Sequence, residues 1–239
     1  FNTMETISIH RPKIVVIGSC NTDMVVKANR LPVPGETILG GTFYMNPGGK
    51  GANQAIAAAR LGAEVTFISK IGYDLFGLQA LEIYRSEKIN TEYIFTDQKS
   101  PSGVALISVD SFGENSIIVA PGASRSLSIE DINKAEEKIK EADIILMQLE
   151  IPIDTVEYAA TIACKYGKKV ILNPAPASSL SNSFLKNVHT ILPNRIEAEM
   201  LSGIKVMNIE SAHRAAQAIG EKGIENVVIT LGKDGAYVK

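Results

Sequence analysis

The chain has 239 residues, of which 45% are hydrophobic, and carries a formal net charge of −2 at pH 7. A chain of this length and composition can bury the core of one large domain. Its charges form no block of one sign, whereas a dedicated nucleic-acid-binding protein would normally present a basic face. No apolar stretch approaches the roughly 20 residues needed to span a bilayer, and we expect no signal peptide. We therefore expect neither a nucleic-acid partner nor a membrane partner.

Short apolar runs alternate with helical periods along the chain. The runs are rich in Val and Ile without strict alternation, which is typical of strands covered on both faces. We predict strands at 13–18, 64–72, 143–150, 168–177, 189–194 and 226–232, and helices at 50–61, 75–87, 129–141, 153–165, 196–201 and 211–222. This alternation predicts a doubly wound α/β fold, with a mostly parallel sheet and helices on both faces. We place it in a single domain over residues 4–239.

Two segments do not fit the alternation. Residues 22–45 carry apolar side chains around the turn-prone PVPGE without a helical period. Residues 103–119 contain GVALISV and NSIIV, separated by a polar stretch, which is the pattern of a β-hairpin. Both segments predict β structure outside the main sheet, either as a small lid over the strand ends or as ordinary edge strands.

The two cysteines, Cys20 and Cys164, lie far apart and form neither a metal-binding nor a redox motif. We expect both to be buried free thiols. Because unpaired thiols persist in the reducing cytosol, the sequence predicts a cytoplasmic protein.

Polar residues follow five of the predicted strands, and open α/β sheets bind ligands at the carboxyl ends of their strands. Any one of these residues also fits a helix cap or a turn. Together they predict a site of hydrogen-bond acceptors and amide donors, suited to a polyhydroxylated ligand. They are Ser19, Asn21, Asp23, Glu150, Asn173, Asn194, Glu197, Thr230 and Gly232. No nucleophile paired with a base is apparent in the sequence.

The stretch NPGGKGANQA, residues 46–55, places glycines and a lysine at the start of a predicted helix. First-turn N–H groups have no partners within the helix, so such loops often hold an anion or a polar ligand. The stretch is not a phosphate loop, because Gly51 follows Lys50 where Ser or Thr is required. It also breaks the dinucleotide spacing Gly-x-Gly-x-x-Gly. The spacing alone leaves the ligand open.

The run GGKGANQAIAAARLGAEVTFISKIG, residues 48–72, resembles the first signature of ribokinase-like carbohydrate kinases. The further stretches GSCNTDMVV, PVPGETILGG, LNPAPA, PNRIEAEMLSG and VVITLGKDGAY occur in the order of that family. The resemblance covers essentially the whole chain after Met4. Six motifs in order are far more specific than a lone glycine run.

The resemblance implies an ATP-dependent sugar kinase that uses Mg²⁺. The implied sugar-binding residues are Asn21, Asp23, Gly48, Gly49, Lys50, Asn53 and Glu150, so that the glycine-rich loop holds a sugar rather than a nucleotide phosphate. The implied nucleotide-binding residues are Asn194, Glu197, Thr230, Gly232 and Gly235, with Glu197 acting on the metal through water. The two additional β segments would form the family's lid, which also forms a homodimer contact.

The resemblance favours D-ribose as the substrate, phosphorylated at its terminal hydroxymethyl oxygen to ribose 5-phosphate. LNPAPA and the pair of Asn21 and Asp23 carry that preference. Fructokinase, nucleoside kinase and ketodeoxygluconate kinase remain alternatives within the enzyme class.

One family motif is absent, a Gly-Ala-Gly-Asp type sequence near the C-terminus. Its Asp takes the proton from the sugar hydroxyl, and its glycine amides stabilise charge on the transferred phosphate. We expect the catalytic Asp to lie beyond Lys239, together with the site of any monovalent cation such as K⁺. We also expect the chain as written to be inactive. An inert sugar-binding protein is the alternative from another class.

Overall fold

The computed structural model describes residues 11–239, so the predicted start of the domain at residue 4 lies outside the described residues. The strands are β1 (Lys13–Ile17), β2 (Asn21–Lys27), β3 (Thr42–Gly48), β4 (Glu64–Gly72), β5 (Ile94–Asp97), β6 (Gly103–Val109), β7 (Asn115–Ala120), β8 (Ile144–Met147), β9 (Lys169–Leu172), β10 (Thr190–Ile191), β11 (Asn226–Thr230) and β12 (Ala236–Val238). The helices are α1 (Lys50–Arg60), α2 (Leu75–Ser86), α3 (Ile129–Lys134), α4 (Glu136–Glu141), α5 (Ile153–Lys165), α6 (Asn182–Leu185), α7 (Arg195–Ser202) and α8 (Ile209–Gly220).

The main sheet of the described chain has the strand order β12-β11-β10-β9-β8-β1-β4-β5. Its pairings are parallel from β5 to β11, and only β12 pairs antiparallel with its neighbour. Helices cover both faces of the sheet. Alternate residues of β1 accordingly belong to two different hydrophobic clusters, one on each face. Val15 and Ile17 of β1 belong to the core cluster that includes residues of α3, α4 and α5, whereas Val16 belongs to the cluster that includes α1. The predicted α/β class, with a mostly parallel sheet, is therefore confirmed.

Helix α1 reaches the sheet closely because its inner face is made of small residues. Gly51, Ala52, Ala55 and Ala58 are its buried positions. Beyond α1 the same face of the sheet, over β8 to β10, opens into a groove of about 670 Å³. The apolar floor of this groove includes Ile14, Leu146, Ile171 and Leu192.

A second sheet of the described chain has the order β3-β2-β6-β7. Strands β6 and β7 pair antiparallel, as expected of the hairpin, and β2 pairs antiparallel with β3 and parallel with β6. One face of this sheet carries Asp23, opposite Asn46 and Ala105. The other face carries a row of apolar residues, Met45, Met24, Leu106 and Ile118, that crosses all four strands. We call this second sheet the small sheet.

Several predicted elements differ from the observed ones. The predicted helix over 129–141 is interrupted at Ala135, which separates α3 from α4. The predicted strands over 143–150, 168–177 and 189–194 are longer than β8, β9 and β10. The sequence analysis did not predict β5 or the short α6.

The two cysteines differ in exposure. Cys20 is buried as predicted, and burial raises the pKa of its thiol to about 11. Cys164 is exposed, so the prediction that it is buried was wrong. It lies on the outer face of α5, where the buried positions are instead Thr155, Val156, Ala159, Ala160, Ile162 and Ala163.

No helix among the described residues combines the length and the apolar character needed to cross a membrane.

Candidate active site

The candidate site begins where the order of the main sheet reverses. Strand β1 lies between β4 and β8, and the chain goes first to β4 and only later to β8. The crevice outside the ends of two such strands is where open α/β sheets bind ligands. Here it is bridged by one hydrogen bond, in which the Ser19 hydroxyl donates to Oε2 of Glu150 at 2.5 Å. The sequence-predicted Glu150 therefore lies at the reversal point.

The start of α1 faces this crevice. Gly49 is the N-cap residue, with φ of 88° and no capping side chain. The Lys50 N–H donates to Oε2 of Glu150 at 2.9 Å, and the Ala52 N–H donates to the Ser19 carbonyl at 2.9 Å. First-turn N–H groups of α1 are thus used by the protein, and the Glu150 carboxylate lies at the positive end of the helix dipole. A carboxylate already occupies the position where a phosphate loop would hold its phosphate.

The glycines of the loop make room for polar groups of the protein. A Cβ atom on Gly48 would overlap the Asp23 carboxylate, and one on Gly51 would lie 2.7 Å from the Ser19 amide nitrogen. Side chains at these positions would push apart the groups that form the crevice. Glycine is therefore required at position 48 because Asp23 lies against it, and at position 51 because Ser19 lies against it.

Asp23 brings a second carboxylate to the loop. It lies on β2, in the small sheet, where the sequence analysis had placed it only after β1. Burial raises the pKa of Asp23, and the negative charge of Glu150 raises it further. Two carboxylates on one crevice favour hydroxyl donors and disfavour an anion.

A cavity of about 370 Å³ opens beside these groups, lined in part by Asn21, Glu150 and Arg125. The Oδ1 atom of Asn21 is buried and has no hydrogen-bond partner among residues 11–239. Buried polar atoms are rarely left unpaired. This oxygen faces Gly103 of the small sheet, where a Cβ atom would overlap it, so a ligand donor could reach it only after a local shift. Asn53, predicted to bind the sugar, lies one turn into α1 and is exposed.

Some of the predicted nucleotide-side residues lie along the groove of about 670 Å³. Of those predicted residues, only Asn194, Glu197 and Thr230 line it among residues 11–239, and Asn173 and Lys50 line it as well. Lys50 also reaches Glu150, with 3.9 Å between its Nζ and Oε1. Since Lys50 lines the groove and Glu150 lines the cavity, this contact lies between the two.

Asn194 and Glu197 form a capping box at the start of α7. Asn194 Oδ1 accepts from the Glu197 N–H at 2.9 Å, while the Asn194 N–H and Nδ2 donate to Oε2 and Oε1 of Glu197 at 2.8 and 2.9 Å. This arrangement fixes the Glu197 carboxylate and gives the N–H groups of Asn194 and Glu197 hydrogen-bond partners. Each carboxylate oxygen keeps one further lone pair.

The oxygen donors of Asn194 and Glu197 bear on whether this site suits Mg²⁺. Mg²⁺ keeps several waters and needs only one or two protein carboxylates beside the phosphates of its nucleotide. Within the described part of the chain, no group of three or more His, Cys, Asp or Glu is gathered to hold a metal. The fixed Glu197 carboxylate is suited to contact Mg²⁺ through a water molecule, and it does not belong to a set of direct protein ligands within residues 11–239.

Gly232 and Gly235 are not brought into the groove. They lie in the turn between β11 and β12, with φ of 66° and 87°. Glycine is favoured in that backbone conformation, so the turn alone accounts for both. Their role at the nucleotide stays a prediction.

Sequence reasoning missed a buried amide pair beneath the crevice. Gln148, fully buried, donates from Nε2 to Oε1 of Gln54 at 2.6 Å, and its own Oε1 has no partner within residues 11–239. The signal was present in the sequence, since Gln148 precedes Glu150 by two positions at the end of an apolar strand.

Comparison with known proteins identifies the family. The model of the pfkB family of carbohydrate kinases matches residues 11–239. A ribokinase of Haemophilus influenzae is 46% identical over 228 residues, covering 95% of this chain and 74% of the relative. A deoxyribokinase of Salmonella typhi is 39% identical over 224 residues, covering 93% and 73%. The structure of Arabidopsis thaliana ribokinase complexed with ribose and ATP matches with a TM-score of 0.84 and 31% identity, covering 96% of this chain and 75% of that one. The chain therefore belongs to the pfkB family of carbohydrate kinases.

Proposed function

We propose that the protein transfers the terminal phosphoryl group of ATP to the hydroxymethyl oxygen of D-ribose and so forms ribose 5-phosphate. One observation carries the proposal. The Asp23 and Glu150 carboxylates and the unpaired Asn21 Oδ1 converge at the reversal point of the main sheet. The similarity to ribokinases supports ribose as the sugar.

The sugar end of the site works by accepting hydrogen bonds. Ribose presents several hydroxyl donors. Glu150 and Asn21 line the cavity, and Asp23 lies near enough to Glu150 for the charge of Glu150 to raise its pKa. Hydrogen bonds to ionised acceptors are roughly twice as strong as neutral ones, which favours a neutral polyol over an anion here. The Gly48–Gly51 loop then holds the sugar in place.

The nucleotide lies in the adjoining groove in this proposal, with its phosphates directed toward Lys50, between the groove and the sugar cavity. Phosphoryl transfer depends chiefly on positioning and on neutralising charge. Glu197 would contact a bound Mg²⁺ through water, and Lys50 would add positive charge between the two substrates. When bound with the nucleotide, Mg²⁺ neutralises charge on the phosphates.

The general base stays a prediction, as do the use of K⁺ and the cytoplasmic location. The base would take the proton of the sugar hydroxyl as the phosphoryl group arrives. The residues described here bind and orient the two substrates.

The small sheet is proposed to act as a lid and as the contact of a homodimer. Its face that carries Asp23 also carries Val119, which lines the sugar cavity. Its opposite face exposes large apolar side chains, including Leu106 (52%) and Ile118 (68%), which are paired across β6 and β7. An apolar row of this kind on a β-sheet marks an interaction surface. Closure of the lid would exclude water and protect ATP from hydrolysis.

The dimer is tested by placing a charge in the apolar row. Ile118→Glu should shift the enzyme from dimer to monomer in analytical ultracentrifugation at micromolar concentration, because a buried unpaired carboxylate is unfavourable. Phe112→Glu, at an exposed turn position of the same hairpin, is the control. A monomeric unaltered protein, or a dimer that survives Ile118→Glu, would contradict the proposal.

The substrate is tested with a sugar panel and the product of the complete gene. Ribose-dependent release of ADP is measured with Mg²⁺ and ATP, alongside 2-deoxyribose, fructose, ketodeoxygluconate and adenosine. We expect the highest kcat/KM with ribose. The deoxyribokinase relatives make 2-deoxyribose the second candidate. A higher kcat/KM for 2-deoxyribose would reassign the substrate, and no activity with any sugar would contradict the kinase.

A further inference from the structure

Ser19 is held in place from two directions. Its carbonyl accepts the Ala52 N–H at 2.9 Å, so its backbone is joined to the first turn of α1. The absence of a side chain at Gly51 allows this approach, because a Cβ there would lie 2.7 Å from the Ser19 nitrogen and oxygen. Ser19 itself is 1% exposed. Its hydroxyl therefore starts from a fixed position at the end of β1.

That hydroxyl makes one hydrogen bond within residues 11–239, its 2.5 Å donation to Oε2 of Glu150. The Lys50 N–H donates to the same oxygen at 2.9 Å. Both fixed donors therefore use Oε2, and Oε1 remains for other contacts, with Lys50 Nζ 3.9 Å away. The two donors set the plane and direction of the carboxylate.

We infer that Ser19 is a positioning residue for sugar binding, acting through Glu150. The inference rests on the proposed function, in which Glu150 accepts a sugar hydroxyl. With both donors present, Oε1 is directed before the sugar arrives, so little orientational freedom is lost on binding. Without the hydroxyl, Oε2 keeps only the Lys50 N–H among the described residues, and the carboxylate can then turn about its terminal bond more freely. Neither the residue pattern nor the family resemblance assigned Ser19 this role.

The test is a double-mutant cycle in the product of the complete gene, with Ser19→Ala, Glu150→Gln and the double variant. For each, kcat and the KM values for ribose and for ATP are measured. Ser19→Ala should raise the KM for ribose about tenfold, as expected for weakening one hydrogen bond to a charged group, and leave the KM for ATP unchanged. In the Glu150→Gln background the same change should raise the KM for ribose by about twofold or less, because contacting residues are coupled.

Ser211→Ala is the control for a merely structural serine. Ser211 is also buried. Within residues 11–239 its hydroxyl bonds only to atoms near the start of α8, namely the Met207 and Asn208 backbone and the Asn208 side chain. This variant should lower the melting temperature and leave the KM for ribose unchanged.

Different results would contradict the role of Ser19 and the proposed function. If Glu150→Gln raises the KM for ribose and Ser19→Ala does not, the role of Ser19 is contradicted while the proposed function stands. Equal effects of Ser19→Ala in the two backgrounds contradict action through Glu150. An unchanged KM for ribose in Glu150→Gln, or no ribose phosphorylation by the unaltered enzyme, contradicts the proposed function and the role of Ser19 with it.

Discussion

Replacing Gly48 with alanine should weaken ribose binding without unfolding the protein. The new Cβ would overlap the Asp23 carboxylate, and even the farther oxygen, Oδ2, would be only 2.5 Å away, where ordinary contact begins at 3.4 Å. The carboxylate must therefore move by about 1 Å or more. Gly48 does not have a positive φ, so the substitution adds no backbone strain. The effect should fall on the position of Asp23.

The size of the effect follows from the bonds that Asp23 is proposed to make. A hydrogen bond to a charged group contributes about 1.5–3 kcal/mol. Loss of one such bond corresponds to a roughly 10- to 150-fold weaker affinity for ribose. A displacement of about 1 Å in a binding site is enough to cause losses of this size.

Isothermal titration with ribose and thermal unfolding followed by circular dichroism measure the two quantities separately. Gly220→Ala is the matched control, because Gly220 also lacks a positive φ and a Cβ there would meet only the flexible end of Lys239. It should keep the affinity for ribose and gain up to about 1 kcal/mol of stability in α8. Unchanged ribose affinity in Gly48→Ala, with a normal melting temperature, would refute the assignment of Asp23 to the sugar.

Three further predictions concern charged groups. Burial and the charge of Glu150 raise the pKa of Asp23. On acidification Asp23 should therefore be protonated, and ribose affinity should fall, at a higher pH than an unperturbed Asp would give. Glu150→Gln removes one of the two causes and should move this loss of affinity to lower pH. Titration calorimetry across pH checks this, and an identical profile in both enzymes would count against the coupling. Glu197→Gln should reduce kcat and weaken the Mg²⁺ dependence more than it raises the KM for ribose, and a defect confined to ribose binding would show that the nucleotide-side assignment is wrong. Lys70→Met should lower the free energy of unfolding by about 2–3 kcal/mol in urea denaturation, because it leaves the Asp131 carboxylate buried without its 2.7 Å partner. An unchanged midpoint would mean that this ion pair contributes no net stability.

The fold was largely predictable because its signals are local. Strands such as β1 and β4 are runs of Val, Ile and Phe, and α1 shows the spacing of an amphipathic helix. The interruption at Ala135 was not predictable, because alanine is the strongest helix former. The short α6 has too few residues to show a helical period.

Sequence patterns could indicate which residues belong to the candidate site, but they could not show which of those residues contact each other. The Asn-x-x-Glu spacing of Asn194 and Glu197 is a local capping signal that sequence can show. The bond between Ser19 and Glu150 joins positions 131 residues apart, and nothing in one sequence pairs them. The same holds for Gln54 and Gln148, which are 94 residues apart.

The central claim is that the loop at Gly48–Gly51 holds a sugar and that the adjoining groove holds the nucleotide. A crystal structure of the product of the complete gene with ribose and a non-hydrolysable ATP analogue tests it most directly. The account predicts ribose hydroxyls within hydrogen-bond distance of Asp23, Asn21 and Oε1 of Glu150. It also predicts phosphates beside Lys50 and water between the metal and Glu197. Nucleotide phosphates bound to the amides of Gly49 and Gly51, with the sugar elsewhere, would contradict it.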